Sequence, residues 1–140
     1  MVQNNGLEFE YLVQAFFEER GVSVFETPGS NDYGADLVLY RNGKIAVIQC
    51  KCHSSPVGIH AVQEVTGAIK HYGADAGIVI SNQPFTRQAV ALAHSNHVLL
   101  IDGCMLQAMM AGVSDEPVQP AVVCQVRRVK RPARVKLRRI

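Results

Sequence analysis

The spacing of apolar residues predicts that the chain begins with a helix followed by a strand. Residues 6–19 carry apolar side chains at helical intervals, and Gly21 follows as a stop signal. One apolar face of this predicted helix consists of Leu7, Tyr11, Leu12, Ala15 and Phe16. Residues 22–27 alternate apolar and polar side chains, a pattern that is typical of a strand.

A β-hairpin is predicted next along the chain. Segments 36–41 and 44–52 have strand composition and are joined by Asn42 and Gly43. Both residues of this dipeptide tolerate a positive φ angle, which a tight two-residue hairpin turn requires. The two segments are therefore expected to pair as antiparallel strands.

The second half of the chain alternates between helical and strand patterns. A helix is predicted over 58–72, with an inward face made of Ile59, Val62, Thr66, Ile69 and Tyr72. The remaining predicted elements are a strand at 76–81, a helix at 86–95, a strand at 98–101 and a short helix at 104–111. An early hairpin followed by alternating elements predicts an α/β fold, with a mixed central sheet flanked by helices.

Composition limits the class of protein. The chain has 140 residues, of which 48% are apolar, which suffices for one domain with a buried core. No apolar run approaches the roughly 20 residues that span a bilayer, and the first residues lack the pattern of a secretory leader. We therefore expect a cytoplasmic protein without a membrane partner. Reduced thiols are expected at Cys50, Cys52, Cys104 and Cys124.

Charge divides the chain into a mildly acidic body and a basic end. Residues 1–116 hold all 12 acidic residues and six basic ones, a net charge of −6. Residues 112–120 resemble a linker, and 121–140 form a basic extension whose first six residues have strand composition. Its cations suit a polyanion such as DNA, or else only keep the chain soluble. They are Arg127, Arg128, Lys130, Arg131, Arg134, Lys136, Arg138 and Arg139.

Polar side chains meet at the rim of the predicted hairpin. Asp36 begins one strand, and Gln49 and Lys51 lie near the end of its partner, on one face because side chains alternate. Carboxylate and amide oxygens suit Mg²⁺ or Mn²⁺, and the Cys50 main-chain carbonyl is a further candidate ligand. Lys51 would position the attacking water and offset charge on a phosphate. These parts are the ones that phosphodiester hydrolysis needs.

The same residues belong to a series of motifs that resembles a known family. The series reads Gly6-Leu7-Glu8-Phe9-Glu10, Asp32-Tyr33-Gly34-Ala35-Asp36, Gln49-Cys50-Lys51, Gly77-Ile78-Val79-Ile80-Ser81, Phe85-Thr86 with Ala89, and Leu100-Ile101-Asp102-Gly103. In this order it resembles the catalytic domain of Mrr-type restriction endonucleases, within the PD-(D/E)xK nuclease superfamily. The resemblance covers residues 6–106 and makes 1–111 the nuclease domain, with a restriction-endonuclease-like core.

The resemblance implies a Mg²⁺-dependent DNA endonuclease whose catalytic residues are Asp36, Gln49 and Lys51. It also implies an accessory acid at Glu10, near the metal and in contact through water. Gln49 replaces the superfamily's usual acid, so weak metal binding is expected. We expect a homodimer, because one site cuts one strand, and no small-molecule cofactor. In 140 residues we expect no separate DNA-reading domain, so recognition of modified bases is not carried over.

Several alternatives stay open at this level. A nuclease fold that binds nucleic acid without cutting it would explain both Gln49 and the basic extension. A relationship to archaeal Holliday-junction resolvases is a third reading, although those enzymes have Glu at the position of Gln49. Asp32 is either a turn residue or a ligand, and Gln63 and Glu64 either reach the site or lie on an exposed helix face. Cys50, Cys52 and His53 resemble part of a zinc site, but no second pair has matching spacing.

Overall fold

The computed structural model describes residues 5–27 and 34–112, and it contains the elements predicted for that part of the chain. In order they are α1 (Asn5–Glu18), β1 (Ser23–Glu26), β2 (Leu37–Arg41), β3 (Lys44–Lys51), α2 (Ile59–Tyr72), β4 (Ala76–Ser81), α3 (Arg87–Asn96), β5 (Val98–Ile101) and α4 (Gly103–Met110). The predicted order and α/β class are confirmed, and element ends differ by at most one or two residues.

The five strands form one mixed sheet in the order β1-β2-β3-β4-β5. β1, β2 and β3 pair antiparallel, whereas β3, β4 and β5 pair parallel. The hairpin turn between β2 and β3 forms as predicted, since Asn42 and Gly43 both have positive φ angles, 54° and 80°. β3 therefore lies at the centre of the sheet, where the antiparallel half meets the parallel half.

Helices cover both faces of the parallel half. β4 is buried at all six positions, as expected of a strand with helices on either side. α2 and α3 pack on each other and on the parallel strands, while α1 contacts β1 and β3 and α4 contacts β4. The hydrophobic core lies between these layers and centres on Leu37, Ile48, Ile78 and Leu100.

Of the apolar face predicted for α1, the structure buries only Phe16. Leu7, Tyr11 and Leu12 are 50%, 53% and 45% exposed. The core receives Phe16 as predicted, together with Val13 and Phe17 from outside the predicted face, and Phe9 packs beside them. α1 is apolar over more than one face, and burial of the three phenylalanines removes more aromatic surface from water. Spacing alone could not choose between these two faces.

The inward face of α2 is also shifted from the prediction. Val62 is buried as expected, but the other fully packed positions are Ala61, Val65 and Ala68, while Ile69 is only half-buried. Small residues let the helix lie close to the sheet. A Cβ atom built on Gly77 of β4 would lie 2.7 Å from Ile69 Cδ1, so the absence of a side chain on the strand permits this approach.

Other predictions fall outside the described residues: the strand composition of 121–126, the eight cations of the basic extension, and Asp32. Within 5–27 and 34–112, no helix has both the length and the apolar character required to cross a membrane.

Candidate active site

Two hydrogen bonds fix Asp36 at the point where β2 meets β3. Its backbone N–H donates to the carbonyl oxygen of Ile48 at 2.7 Å. Its carboxylate oxygen Oδ2 accepts from the backbone N–H of Cys50 at 2.8 Å. The pairing of Leu37 with Ile48 places Asp36 beside Gln49, so the acid and the amide meet as the hairpin predicts.

Gln49 is buried and its amide is oriented by two neighbours. In the orientation that satisfies both, Nε2 donates to the Gly34 carbonyl oxygen at 2.7 Å, and Oε1 accepts from Lys51 Nζ at 3.2 Å. The Gln49 Nε2 is thereby occupied by a main-chain acceptor, and the Gln49 Oε1 faces the Lys51 ammonium. An amide held in this way presents its acceptor atom to the site, which is the atom that a hard cation would bind.

Lys51 is the last residue of β3, and its side chain reaches helix α2. Its Nζ is 3.0 Å from Glu64 Oε1, and the two side chains are 20% and 46% exposed. Of the two alternatives for Glu64, the structure supports the one in which it reaches the site, although the side chain is also half-exposed. Gln63 is exposed. Spacing along α2 did not reveal the Glu64 contact, because it depends on where the helix crosses β3.

Gly34, in the loop before Asp36, packs closely against the backbone of helix α2. Its φ angle is +83°, a conformation that strongly favours glycine. A Cβ atom on Gly34 would lie 2.7 Å from the carbonyl carbon of Glu64 and closer still to its oxygen. Only glycine fits this close approach, which sets the position of Asp36, Gln49 and Glu64 relative to one another.

Glu10 brings a second carboxylate to the site from α1. Burial, together with the nearby charges of Asp36 and Glu26, raises the pKa of Glu10 from 4.5 to about 7. Glu26, at the end of β1, was missed by the sequence analysis. No motif contains it, and it comes near Glu10 because α1 packs against β1.

The surroundings of Asp36 act on the pKa of its carboxyl in both directions. Burial raises the pKa of its carboxyl above the usual value, and the charge of Glu64 adds to that effect. The hydrogen bond from the Cys50 N–H and the charge of Lys51 act in the opposite direction. Two partly desolvated carboxylates, Asp36 and Glu10, therefore repel each other beside a single ammonium group.

The Cys50 side chain packs against the core, and its main-chain N–H donates to the Asp36 carboxylate. Burial is the main cause that raises the pKa of the Cys50 thiol well above 9, so this sulfur stays protonated. Since the N–H and C=O of one residue point to the same side of a strand, the Cys50 carbonyl projects toward the side of Asp36. The structure therefore leaves this oxygen as a candidate ligand.

The segment after Lys51 is held against the end of β4. The side chain of Asn82 accepts from the His53 N–H at 2.9 Å and donates to the His53 carbonyl at 3.0 Å. Gln83 Nε2 donates to the same carbonyl at 3.2 Å. These bonds fix the chain as it leaves β3 and limit movement of Lys51.

The donor set matches the chemistry of a hard divalent cation. It consists of two mutually repelling carboxylates, Glu10 and Asp36, with the oxygens of Gln49 and Cys50 beside them. Burial is the main cause that raises the pKa of both carboxyls, and the charge of Asp36 adds to the effect on Glu10. A cation bound between them would favour the charged form of each. Across 5–27 and 34–112, no three His, Cys, Asp or Glu side chains form a metal-binding group. The site therefore depends on amide and carbonyl oxygens, the ligand types that Mg²⁺ accepts together with water.

A mixed sheet with an amide and an amine at the end of its central strand, and an acid beside them at the start of the neighbouring strand, is the arrangement of a restriction-endonuclease-like domain. A family model described as "Restriction endonuclease", that of the Mrr-type catalytic domain, matches residues 1–110. The chain therefore belongs to the Mrr-type restriction endonuclease family, and the family resemblance inferred from the motifs is confirmed.

Comparisons with individual proteins agree with this assignment. An uncharacterized mitochondrial protein of Schizosaccharomyces pombe is 30% identical over 106 residues, which cover 69% of this chain and 42% of that protein. The chain thus spans about two fifths of the length of this curated relative.

Two solved structures share the fold. One is the crystal structure of a protein of unknown function, AF1548, with a TM-score of 0.61 and 17% identity over 81% of this chain and 72% of the other. The second is the MspJI restriction endonuclease in complex with a 27-mer oligonucleotide. Its TM-score is 0.55 and its identity 20%, over 94% of this chain and 31% of MspJI.

Proposed function

We propose that the protein is a metal-dependent endonuclease that hydrolyses DNA phosphodiester bonds. The observation that carries the proposal is the convergence of Asp36, Gln49 and Lys51, with the Gln49 oxygen 3.2 Å from the Lys51 ammonium. Support also comes from the family assignment and from the structural neighbour, MspJI, whose complex contains an oligonucleotide.

Asp36, the Gln49 oxygen and the Cys50 carbonyl would hold Mg²⁺ or Mn²⁺, with Glu10 in contact through water. A cation held there would supply Lewis-acid stabilisation of the charge on the scissile phosphate. Gln49 and Glu64 hold the Lys51 ammonium at the edge of the site and take two of its three N–H donors. The third would donate to the attacking water or to a phosphate oxygen. Glu10, the second carboxylate beside Asp36, would accept the proton from that water.

DNA is the proposed partner, and cleavage of both strands would require a homodimer. The basic extension, whose cations lie outside the described residues, is proposed to contact phosphates. Because the body carries a net charge of −6 over residues 1–116, these cations would offset its repulsion of DNA.

Plasmid cleavage tests the proposal directly. Purified protein incubated with supercoiled plasmid is expected to nick it with Mg²⁺ or Mn²⁺ and not with EDTA. Asp36→Ala and Lys51→Ala should abolish nicking, whereas Lys44→Ala, at the exposed start of β3, is the matched control. Nicking that persists in Asp36→Ala or Lys51→Ala would contradict the assignment.

A second candidate function is nucleic-acid binding without cleavage. Gln49 favours it, because an amide in place of an acid removes one negative charge from the metal site. Tight binding without metal and without cutting, measured on the same DNA, would support it. A four-way DNA junction in the same assay tests the resolvase alternative, which predicts that the junction is cut in preference to a plain duplex.

A further inference from the structure

Helix α1 leaves an apolar surface uncovered by the described part of the protein. It consists of Leu7, Tyr11, Leu12 and Ala15, here called the α1 stripe, and all four side chains are exposed. Their spacing of four, five and eight residues makes them neighbours along one side of the helix. Exposed apolar surface that is continuous along a helix is costly in water and marks a surface that another segment covers.

The charged residues of α1 itself are all acidic. α1 contains three acidic residues, Glu8, Glu10 and Glu18, and no basic one, and Glu19 follows directly. A second copy packed through the same helix would bring these carboxylates toward each other. The segment that covers the stripe is therefore expected to be apolar on one side and basic on the other.

The end of this chain has that composition. Residues 121–140 contain eight basic residues and no acidic one, interspersed with apolar side chains. Those apolar residues include Val122, Val126, Val129, Val135 and Leu137. The segment is therefore opposite in charge to the carboxylates of α1, and its apolar side chains can pack on the α1 stripe. The rest of the chain lacks this combination, since residues 1–116 carry a net charge of −6.

The chain leaves the described fold close to α1. Arg20, just after the helix, lies with its guanidinium carbon 3.7 Å from the centre of the Phe16 ring. Its Nη2 also donates to the Met109 carbonyl, at 3.5 Å, in the last turn of α4. Residues 113–120 span at most about 26–29 Å when extended. The stretch of α1 from Phe16 back to Leu7 is only about 14 Å long.

We propose that, when no DNA is bound, residues 121–140 dock on the α1 stripe of their own chain, with valine and leucine side chains on the stripe and cations beside the helix carboxylates. This docking depends on the α1 surface alone, so it holds whether or not the protein cuts DNA.

Paramagnetic relaxation enhancement on the full chain tests the docking. A nitroxide on Cys124 requires Cys50→Ala, Cys52→Ser and Cys104→Ser, and the amide spectrum verifies that the fold is kept. We expect the amide signals of α1, from Leu7 to Ala15, to broaden. The broadening should weaken as NaCl is raised to about 1 M, where the Debye length is about 3 Å.

Two substitutions distinguish docking on the α1 stripe from nonspecific association with any exposed apolar side chain. Leu12→Lys should weaken docking about tenfold, since burial of a leucine is worth at least that factor in an equilibrium constant. Phe25→Lys is the matched control, because Phe25 is 57% exposed on β1 rather than on α1. Unchanged broadening in Leu12→Lys, or equal loss in Phe25→Lys, would overturn the proposal.

A mixed sample distinguishes the chain's own end from that of a second copy. Spin-labelled protein without ¹⁵N is mixed with unlabelled ¹⁵N protein, and the α1 signals of the latter should stay sharp. Broadening of equal size in the mixed sample would show that a second copy supplies the segment, and would overturn docking within one chain. No broadening of α1 in either sample would overturn docking on the stripe altogether.

Discussion

Lys51 Nζ lies 3.0 Å from Glu64 Oε1, so an ion pair joins the central strand β3 to helix α2 at the candidate site. The same ammonium is 3.2 Å from the Gln49 oxygen. Lys51 is therefore held from two directions before any substrate arrives. Fixed donors of this kind stabilise developing charge without reorganisation at the moment of reaction.

Removal of Glu64 should lower the cleavage rate through the position of Lys51. We expect Glu64→Ala to reduce kcat about tenfold, corresponding to about 1.4 kcal/mol, without raising KM for DNA. Glu64→Gln keeps an acceptor for the ammonium and should lose less activity. Because the pair is partly exposed, either variant should change the free energy of unfolding by less than about 1 kcal/mol. Steady-state kinetics and urea unfolding measure the two quantities, and an unchanged kcat would argue against this role.

The close approach of Gly34 to Glu64 predicts a large difference between two similar glycine substitutions. Gly34 and Gly43 have nearly equal φ angles, +83° and +80°, but only Gly34 has backbone atoms within 4 Å of a built Cβ. Gly43→Ala should cost about 1–2 kcal/mol of backbone strain. Gly34→Ala should cost at least about 2 kcal/mol more, because the loop must also move away from α2.

Urea unfolding of the two variants gives this difference. If both alanine variants lose the same stability, then the contact between Gly34 and Glu64 does not constrain the site.

The raised pKa of Glu10 predicts how stability changes with pH. Its pKa is about 7 in the folded protein and 4.5 in the unfolded chain, so the folded state binds the proton more tightly. The free energy of unfolding should therefore fall as the pH rises from about 4.5 to 7. Allowing for solvent screening of a partly exposed group, the contribution is about 1 kcal/mol.

Glu10→Gln should flatten this dependence and stabilise the protein at pH 8, whereas the exposed Glu8→Gln should leave it unchanged. Added Mg²⁺ should stabilise the unsubstituted protein more at pH 8 than at pH 5, because binding requires the carboxylates to be deprotonated. A slope that is the same in Glu10→Gln as in the unsubstituted chain would show that another group causes it.

The sequence predicted those parts of the fold and site that depend on local pattern. The turn at Asn42 and the meeting of Asp36 with Gln49 follow from hairpin chemistry and strand alternation, and both are present. The buried face of α1 and the contact of Glu64 with Lys51 depend on which helix surface meets the sheet. That choice follows from the packing of many side chains together, which the spacing of apolar residues does not encode.

The basic extension predicts a salt dependence of DNA binding. Each phosphate neutralised contributes about −0.9 to the slope of log K against log salt concentration. Arg138→Gln and Arg139→Gln together should reduce the steepness of that slope by up to about 1.8, if each arginine contacts one phosphate. Arg87→Gln, on the exposed surface of α3, is the control. Binding measured by fluorescence anisotropy between low and moderate salt gives the slopes, and equal slopes in all variants would argue against phosphate contacts by this segment.

Anomalous diffraction from crystals of the protein with DNA and Mn²⁺ locates the metal and the phosphate together. We expect a manganese peak bound by Asp36 and the Gln49 oxygen, next to a DNA phosphate that Lys51 contacts. The peak should be absent from crystals of Asp36→Ala. Manganese located elsewhere, or DNA bound away from Lys51 with no metal beside Asp36, would contradict the proposal.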